Sequence, residues 1–198
     1  MPATGPGRLV VVSGPSGAGK TTVMHRVFER SPVPLVASVS ATPRPPRPGE
    51  VDGVDYHFHS KEEFDILRER GEFLECFEVF GRGYWYGTLR GEVTSGLKAG
   101  KWVVLEIDVR GALAVMEHYP DAITIFIRPS SLEELDRRLR RRGTETEEAI
   151  QRRLARAKDE LALADRYRHQ VVNDDIDQAV AQICTILTEQ WQRNHDDR

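Results

Sequence analysis

Cysteine is scarce in this chain: Cys76 and Cys184 are the only two among 198 residues. They lie far apart and share no metal-ligand spacing. A disulfide framework and a thiolate metal centre are therefore excluded, and a reducing compartment is expected. Long apolar runs are missing too. None approaches the roughly 18 residues of a membrane span, so no membrane partner is expected. The opening MPATGPGR has no apolar core of the signal-peptide kind and reads as a short disordered leader over residues 1–7. A cytoplasmic location follows as an expectation. Charge of one sign is also lacking, with 28 Lys and Arg against 31 Asp and Glu and a net charge of -3. The chain as a whole is no general nucleic-acid binder, and any anion site must be local. No internal repeat is present, and nothing decides between a monomer and a homo-oligomer.

What is there is ordinary in amount. The 39% hydrophobic and 30% charged residues are typical of a soluble globular protein. The length suits one domain with small inserted lobes and can bury a sizeable core. Apolar runs at 8–13 (RLVVVS), 35–40 (LVASVS), 101–108 (KWVVLEID), 122–127 (AITIFI) and 169–173 (HQVVN) read as strands. Helical patterns lie between them at 19–30, 61–70, 92–99, 110–118, 130–142, 146–166 and 175–193. Apolar strands alternating with helices predict an α/β fold, a parallel sheet covered by helices on both faces. Residues 41–96 break that rhythm with shorter, alternating, aromatic-rich strands at 57–60 and 72–88, and read as an inserted lobe.

Behind the first apolar run stands Gly14-Pro15-Ser16-Gly17-Ala18-Gly19-Lys20-Thr21, followed by Thr22. This is the full P-loop pattern, with a strand before it and a helix after it. Glycines let backbone N–H groups turn inward around phosphate oxygens, and the positive end of the helix adds to that field. Lys20 supplies a point charge at the β and γ phosphates. Thr21 offers a hydroxyl to Mg²⁺, which accompanies ATP. The pattern indicates a nucleoside triphosphate but does not say what receives the phosphate.

Two further segments bear on the acceptor. In SVSATPRPPRPGEVDGVDYHF (38–58), Arg44 and Arg47 sit in a proline-stiffened stretch ahead of Tyr56. Two positioned guanidiniums and a phenol would clamp a compact dianion such as a monophosphate; a solvated basic linker has the same composition. In RRLRRR (137–142), five of six residues are arginine. That run reads as a nucleic-acid patch, a solvated helix face or a lid closing over triphosphate. Arg138 and Arg142 share a helix face. Gly143 permits a reversal, and Thr144 with Glu147 has capping-box spacing for the next helix, which carries Arg153.

The ordered set GPSGAGKTT, SVSATPRPPRPGE, DYHF, EFLE, YGT, LEID, RRGTETEE and VNDD resembles the guanylate kinases from Arg8 to about Trp191. The resemblance implies a P-loop NTPase core over 8–40, 97–129 and 155–198. It also implies a GMP-binding lobe over 41–96 with a small mixed sheet, and a helical lid over 130–154. It implies transfer of a phosphoryl group from ATP, with Mg²⁺, to GMP. Gly14 to Thr22 would bind ATP, with Asn173 near the adenine. Arg44, Arg47, Tyr56 and Tyr86 would hold the GMP phosphate, and Ser40, Glu75, Thr88 and Asp108 would read the guanine. Lys20, Arg44, Arg138, Arg142 and Arg153 would be catalytic, Arg44 by bridging donor and acceptor phosphates. Thr21 would hold the metal, with Glu106 acting through its water shell. The chemistry of the base agrees with this: guanine presents N1–H and N2 donors, which ionised carboxylates such as Glu75 and Asp108 accept, whereas adenine N1 is itself an acceptor.

The chain departs from the family pattern in places. Arg110 stands where glutamine is common and Glu106 where aspartate is usual. FGRGYWYGT is about two residues longer than its counterpart, so assigning Tyr86 rather than Tyr84 to the phosphate is an alignment choice. His57 and His59 alternate as a metal pair would, but without a third ligand they read as structural. Phe73, Phe77 and Phe80 read as lobe core, and Val180, Ile183, Ile186 and Leu187 as the packed face of the last helix. Two rivals remain. A P-loop kinase of another small phosphorylated acceptor would lack the Glu75 and Asp108 pair. A non-catalytic guanylate-kinase-like binding module would have lost Lys20 and Thr21.

Overall fold

Strand β1 (Arg8–Ser13) buries nearly every residue of its length, as expected of a central strand in a sheet. The computed structural model describes residues 6–79, 83–141, 143 and 146–196. Residues 1–5 of the expected leader, Phe80, Arg142 and Thr144 lie outside the described residues. Gly7 packs so closely that a Cβ there would meet the Leu97 carbonyl oxygen at 2.3 Å.

The remaining strands are β2 (Leu35–Ala37), β3 (Ser40–Thr42), β4 (His57–Phe58), β5 (Phe73–Val79), β6 (Tyr84–Leu89), β7 (Trp102–Glu106), β8 (Ile123–Arg128) and β9 (His169–Val172). The helices are α1 (Lys20–Arg30), α2 (Lys61–Glu69), α3 (Arg90–Lys98), α4 (Val109–His118), α5 (Leu132–Arg141), α6 (Glu147–Leu161) and α7 (Ile176–Asp196). A parallel five-stranded sheet runs β2-β7-β1-β8-β9, and a mixed four-stranded sheet runs β4-β3-β6-β5. The expected α/β fold with a separate small sheet is thus present.

By its contacts the chain divides into two units, Met1–Val10 with Val36–Ala122, and Val11–Leu35 with Ile123–Arg198. In the first unit, Ala41, Phe64 and Phe73 form the core of the small sheet, and the rings of Phe64 and Phe73 stack at 4.8 Å. Helix α2 begins with a full capping box between Ser60 and Glu63. In the second unit, Leu135, Leu139, Ile150 and Ala157 pack α5 against α6. Val180, Ile183, Ile186 and Leu187 of α7 are buried as expected.

Three expectations need correction. The run 35–40 is not one strand but two, in different sheets. After Ala37 the Ser38 N–H still bonds the Val104 carbonyl, at 2.9 Å. The Val39 N–H then donates to the Glu92 carboxylate at 2.9 Å, and Ser40 pairs with Thr88 in the other sheet. Asp108 does not end a strand. It is the N-cap of α4 and accepts the Gly111 N–H at 2.8 Å, a role aspartate favours. Helix α6 is capped by Thr146, whose hydroxyl accepts the Ala149 N–H, rather than by Thr144. His57 and His59 each face a glutamate, Glu92 at 3.3 Å and Glu63 at 3.9 Å.

Candidate active site

The second unit carries the phosphate loop. Gly14 has φ 145°, and a Cβ there would lie 1.9 Å from the Ile127 carbonyl oxygen, so only glycine lets the chain leave β1 at this point. The Ala18 N–H closes the turn on the Pro15 carbonyl at 3.1 Å. Gly19, at φ 84°, caps α1 without any side-chain hydrogen bond, and the first turn of α1 holds no acidic residue. The leading amides and positive end of the helix are thus not neutralised from within the helix, the condition an anion site requires. The Lys20 ammonium folds back on the loop and donates to the carbonyls of Gly14 at 2.7 Å and Pro15 at 3.1 Å. Thr21 and Thr22 stand exposed in the first turn.

Asn173 follows β9 and is buried. Its carboxamide donates to the Ala18 carbonyl at 2.7 Å, and a Cβ on Gly19 would meet its Nδ2 at 2.6 Å. Here Asn173 holds the loop backbone itself. Two arginines converge on this unit's loops. Arg153 of α6 donates to the Ser16 hydroxyl at 2.6 Å. Arg138 of α5 is only 16% exposed and pairs with Glu134 at 2.6 Å and Asp174 at 3.2 Å. Arg140 pairs with Asp136 on its own helix and ties α5 to α6 through Glu147. The Arg140 guanidinium holds the Glu147 carboxyl at about 2.

The first unit carries the candidate acceptor site. Strand pairing places Ser40 opposite Thr88, and Thr88 opposite Glu75, so the three lie on one rung across β3, β6 and β5. A register shift between Phe73 and Glu75 lets Phe73 enter the core while Glu75 joins the rung. The Thr88 hydroxyl donates to Glu75 Oε1 at 2.6 Å. Both residues are buried, and burial, with a smaller push from the nearby Asp108 charge, raises the Glu75 carboxyl to about 7 against the Thr88 hydrogen bond.

Beside the rung, Arg44 is 3% exposed and forms a two-pronged pair with Glu50 at 2.8 and 2.9 Å. Its Nε donates to the Tyr86 hydroxyl oxygen at 3.0 Å, and its guanidinium lies 5.2 Å from the Tyr56 ring centre. Because Tyr86 accepts from Arg44, its own O–H is left to donate elsewhere. Tyr56 and Tyr86 meet edge to face at 5.5 Å, whereas Tyr84 stands 39% exposed near the hairpin end. Arg47 joins through its backbone N–H, which donates to Glu50 at 2.6 Å, while its side chain is exposed. Glu106 ends β7 and contributes to the field that raises the Tyr56 phenol, an effect led by burial.

Sequence reasoning missed Glu50, although its place three residues after Arg47 is the spacing of a turn carboxylate. It also missed Glu134 and Asp174 as the partners of Arg138. The i, i+4 spacing gives Glu134, whereas Asp174 is brought in only by the fold.

A parallel α/β sheet whose first strand feeds a glycine loop, an uncapped helix and a lysine folded onto that loop defines a P-loop nucleotide-binding protein. The family model described as guanylate kinase matches residues 6–190. A guanylate kinase of Rhodopirellula baltica is 54% identical over 187 residues, 93% of this chain and 89% of the relative. One from Gloeobacter violaceus is 54% identical over 185 residues, 92% of this chain and 88% of the relative. The solved guanylate kinase of Anaplasma phagocytophilum superposes with a TM-score of 0.76 at 35% identity, covering 94% of this chain and 87% of that one. The chain belongs to the guanylate kinase family, and it is a phosphotransferase.

Proposed function

We propose that the chain transfers the γ-phosphoryl group of ATP reversibly to GMP and dGMP, giving ADP and the guanosine diphosphate, in the cytoplasm. The observation that carries this reading is the rung of buried Glu75 and Thr88 with half-buried Ser40, beside the capping Asp108. Ionised, Glu75 accepts from the guanine N1–H and N2 amine, and Asp108 extends the acceptor edge. Adenine would leave buried acceptors facing an acceptor. The Tyr86 O–H, Tyr56, Arg44 and Arg47 hold the GMP phosphate. Residues 41–96 form the GMP lobe, 130–154 the lid, and the remainder from residue 8 onward the core.

On the donor side, the loop amides from Gly14 to Thr22 receive the ATP phosphates and Lys20 balances their charge. Asn173 serves ATP by fixing the Ala18 carbonyl. Arg138, Arg142 and Arg153 bring positive charge to the triphosphate, Arg138 by exchanging its carboxylate partners for phosphate oxygens. Among the described residues there is no group of three or more His, Cys, Asp or Glu that could hold a metal ion. A divalent ion would therefore be held by phosphates, water and the Thr21 hydroxyl, which fits Mg²⁺ arriving with ATP, with Glu106 reaching it through water. Bound there, Mg²⁺ supplies Lewis-acid neutralisation of phosphate charge. Nucleic acid is not a partner, and no helix among the described residues is long and apolar enough to cross a membrane.

Coupled ADP release with a panel of GMP, dGMP, CMP, UMP and a sugar phosphate tests the reading. Turnover confined to the two guanine nucleotides supports it. Turnover only with another acceptor points to a different small-molecule kinase. GMP binding without any turnover points to a binding module.

A further inference from the structure

Gly111 lies in the first turn of α4, and its backbone N–H is bonded to the capping Asp108. It is buried, although glycine is a poor choice for a helix interior. Its φ is not in the left-handed region, so backbone conformation does not demand it. Close approach does. A Cβ on Gly111 would stand 2.6 Å from Glu75 Oε2, 3.0 Å from Glu75 Cδ and 3.5 Å from Asp108 Oδ1. These three nearest atoms all belong to the two carboxylates proposed to read guanine. Glu75 accepts from Thr88 at its other oxygen, at 2.6 Å, so a push on Oε2 shifts the carboxylate out of its present alignment.

We propose that Gly111 is a specificity-determining position. The missing side chain lets the Glu75 carboxylate lie against the start of α4, where the helix end offsets its charge and where it joins Asp108 in a single acceptor edge. The proposal rests on the reading that Glu75 and Asp108 recognise guanine. A methyl group at 111 pushes the far end of the Glu75 side chain, which is the movable partner, while the helix keeps its course. Fold and guanine affinity should therefore respond in opposite directions, which a merely structural glycine would not produce.

The test compares Gly111→Ala, Glu75→Ala and the double variant by steady-state kinetics and thermal melting, with ATP-Mg²⁺ and GMP. Gly111→Ala should raise the KM for GMP about 10- to 100-fold, the loss of one charge-assisted hydrogen bond. Its KM for ATP should stay within about twofold and its Tm should be unchanged or raised by ~2–4 °C. In the Glu75→Ala background the same substitution should add nothing, because its target is gone. An unchanged KM for GMP in Gly111→Ala, an equal rise in both backgrounds, or a Tm lowered by more than about 10 °C would overturn the proposal while leaving guanine reading intact. If Glu75→Ala itself leaves the KM for GMP unaltered, guanine reading by Glu75 fails, and the role of Gly111 with it.

Discussion

Glu75 is a buried carboxylate that, on the proposed reading, must be ionised to accept from guanine. With its carboxyl raised to about 7, the free protein holds it partly protonated at neutral pH. GMP binding must then expel that proton. The KM for GMP should rise as pH falls, by about tenfold per unit below pH 7, while the KM for ATP changes far less; parallel titrations of both constants from pH 5.5 to 8.5 check this. Stability has the opposite slope. A carboxyl raised from 4.5 to about 7 on folding stabilises the fold fully below pH 4.5, and that contribution is lost as pH climbs through 7. The loss is on the order of 3 kcal/mol. Glu75→Gln should flatten the slope between pH 4.5 and 7 in denaturant melts, and raise the KM for GMP about 10- to 100-fold by replacing a charged acceptor. Glu75 itself was legible only through the resemblance, since one glutamate in an aromatic strand has no local mark of burial. Its raised carboxyl comes first from burial and then from the Asp108 charge, with the Thr88 hydrogen bond opposing both, and only strand pairing and a helix cap bring those neighbours close.

Among the elements, the phosphate loop was fully legible because its chemistry is local: glycine, lysine and threonine at fixed spacing between a strand and a helix. What supports the loop was not. Asn173 lies 155 residues from the carbonyl it binds, a pairing that only the fold creates. Asn173→Ala should leave the Ala18 carbonyl without this donor, raising the KM for ATP about tenfold with the KM for GMP within about twofold; initial rates at varied ATP measure it. Gly14→Ala should fail to accumulate as a folded protein or should melt far below the parent, because φ 145° and the Ile127 carbonyl at 1.9 Å leave no place for the methyl group. The break between β2 and β3 was illegible for a related reason. ASVSAT alternates without interruption from Ala37 to Thr42, and only the change of partner, from Val104 to Glu92 and then Thr88, shows where one sheet ends.

At the scale of the whole molecule, the sequence carried the architecture better than its joints. The apolar runs at β1, β7 and β8 and the helices between them are long and regular enough to announce a parallel α/β sheet, and the 41–96 segment announced itself by breaking that rhythm. Boundaries decided by caps moved by a residue or two, as at Asp108 and Thr146. The chemistry divides the same way. The proposed donor site is a local motif, whereas the proposed acceptor site is assembled from β3, β5, β6 and the cap of α4. Acceptor choice is therefore the most informative quantity to measure, and a series of bases that first removes the N2 amine and then replaces N1–H and O6 by an acceptor N1 and an N6 amine isolates it. The measurement is kcat/KM for GMP, inosine monophosphate and AMP at saturating ATP-Mg²⁺. Reading by two carboxylates predicts a graded fall. Losing the N2 amine should cost about 10- to 100-fold, and losing N1–H as well should leave AMP almost inert. Equal turnover of GMP and inosine monophosphate, or substantial turnover of AMP, would contradict a guanine edge formed by Glu75 and Asp108.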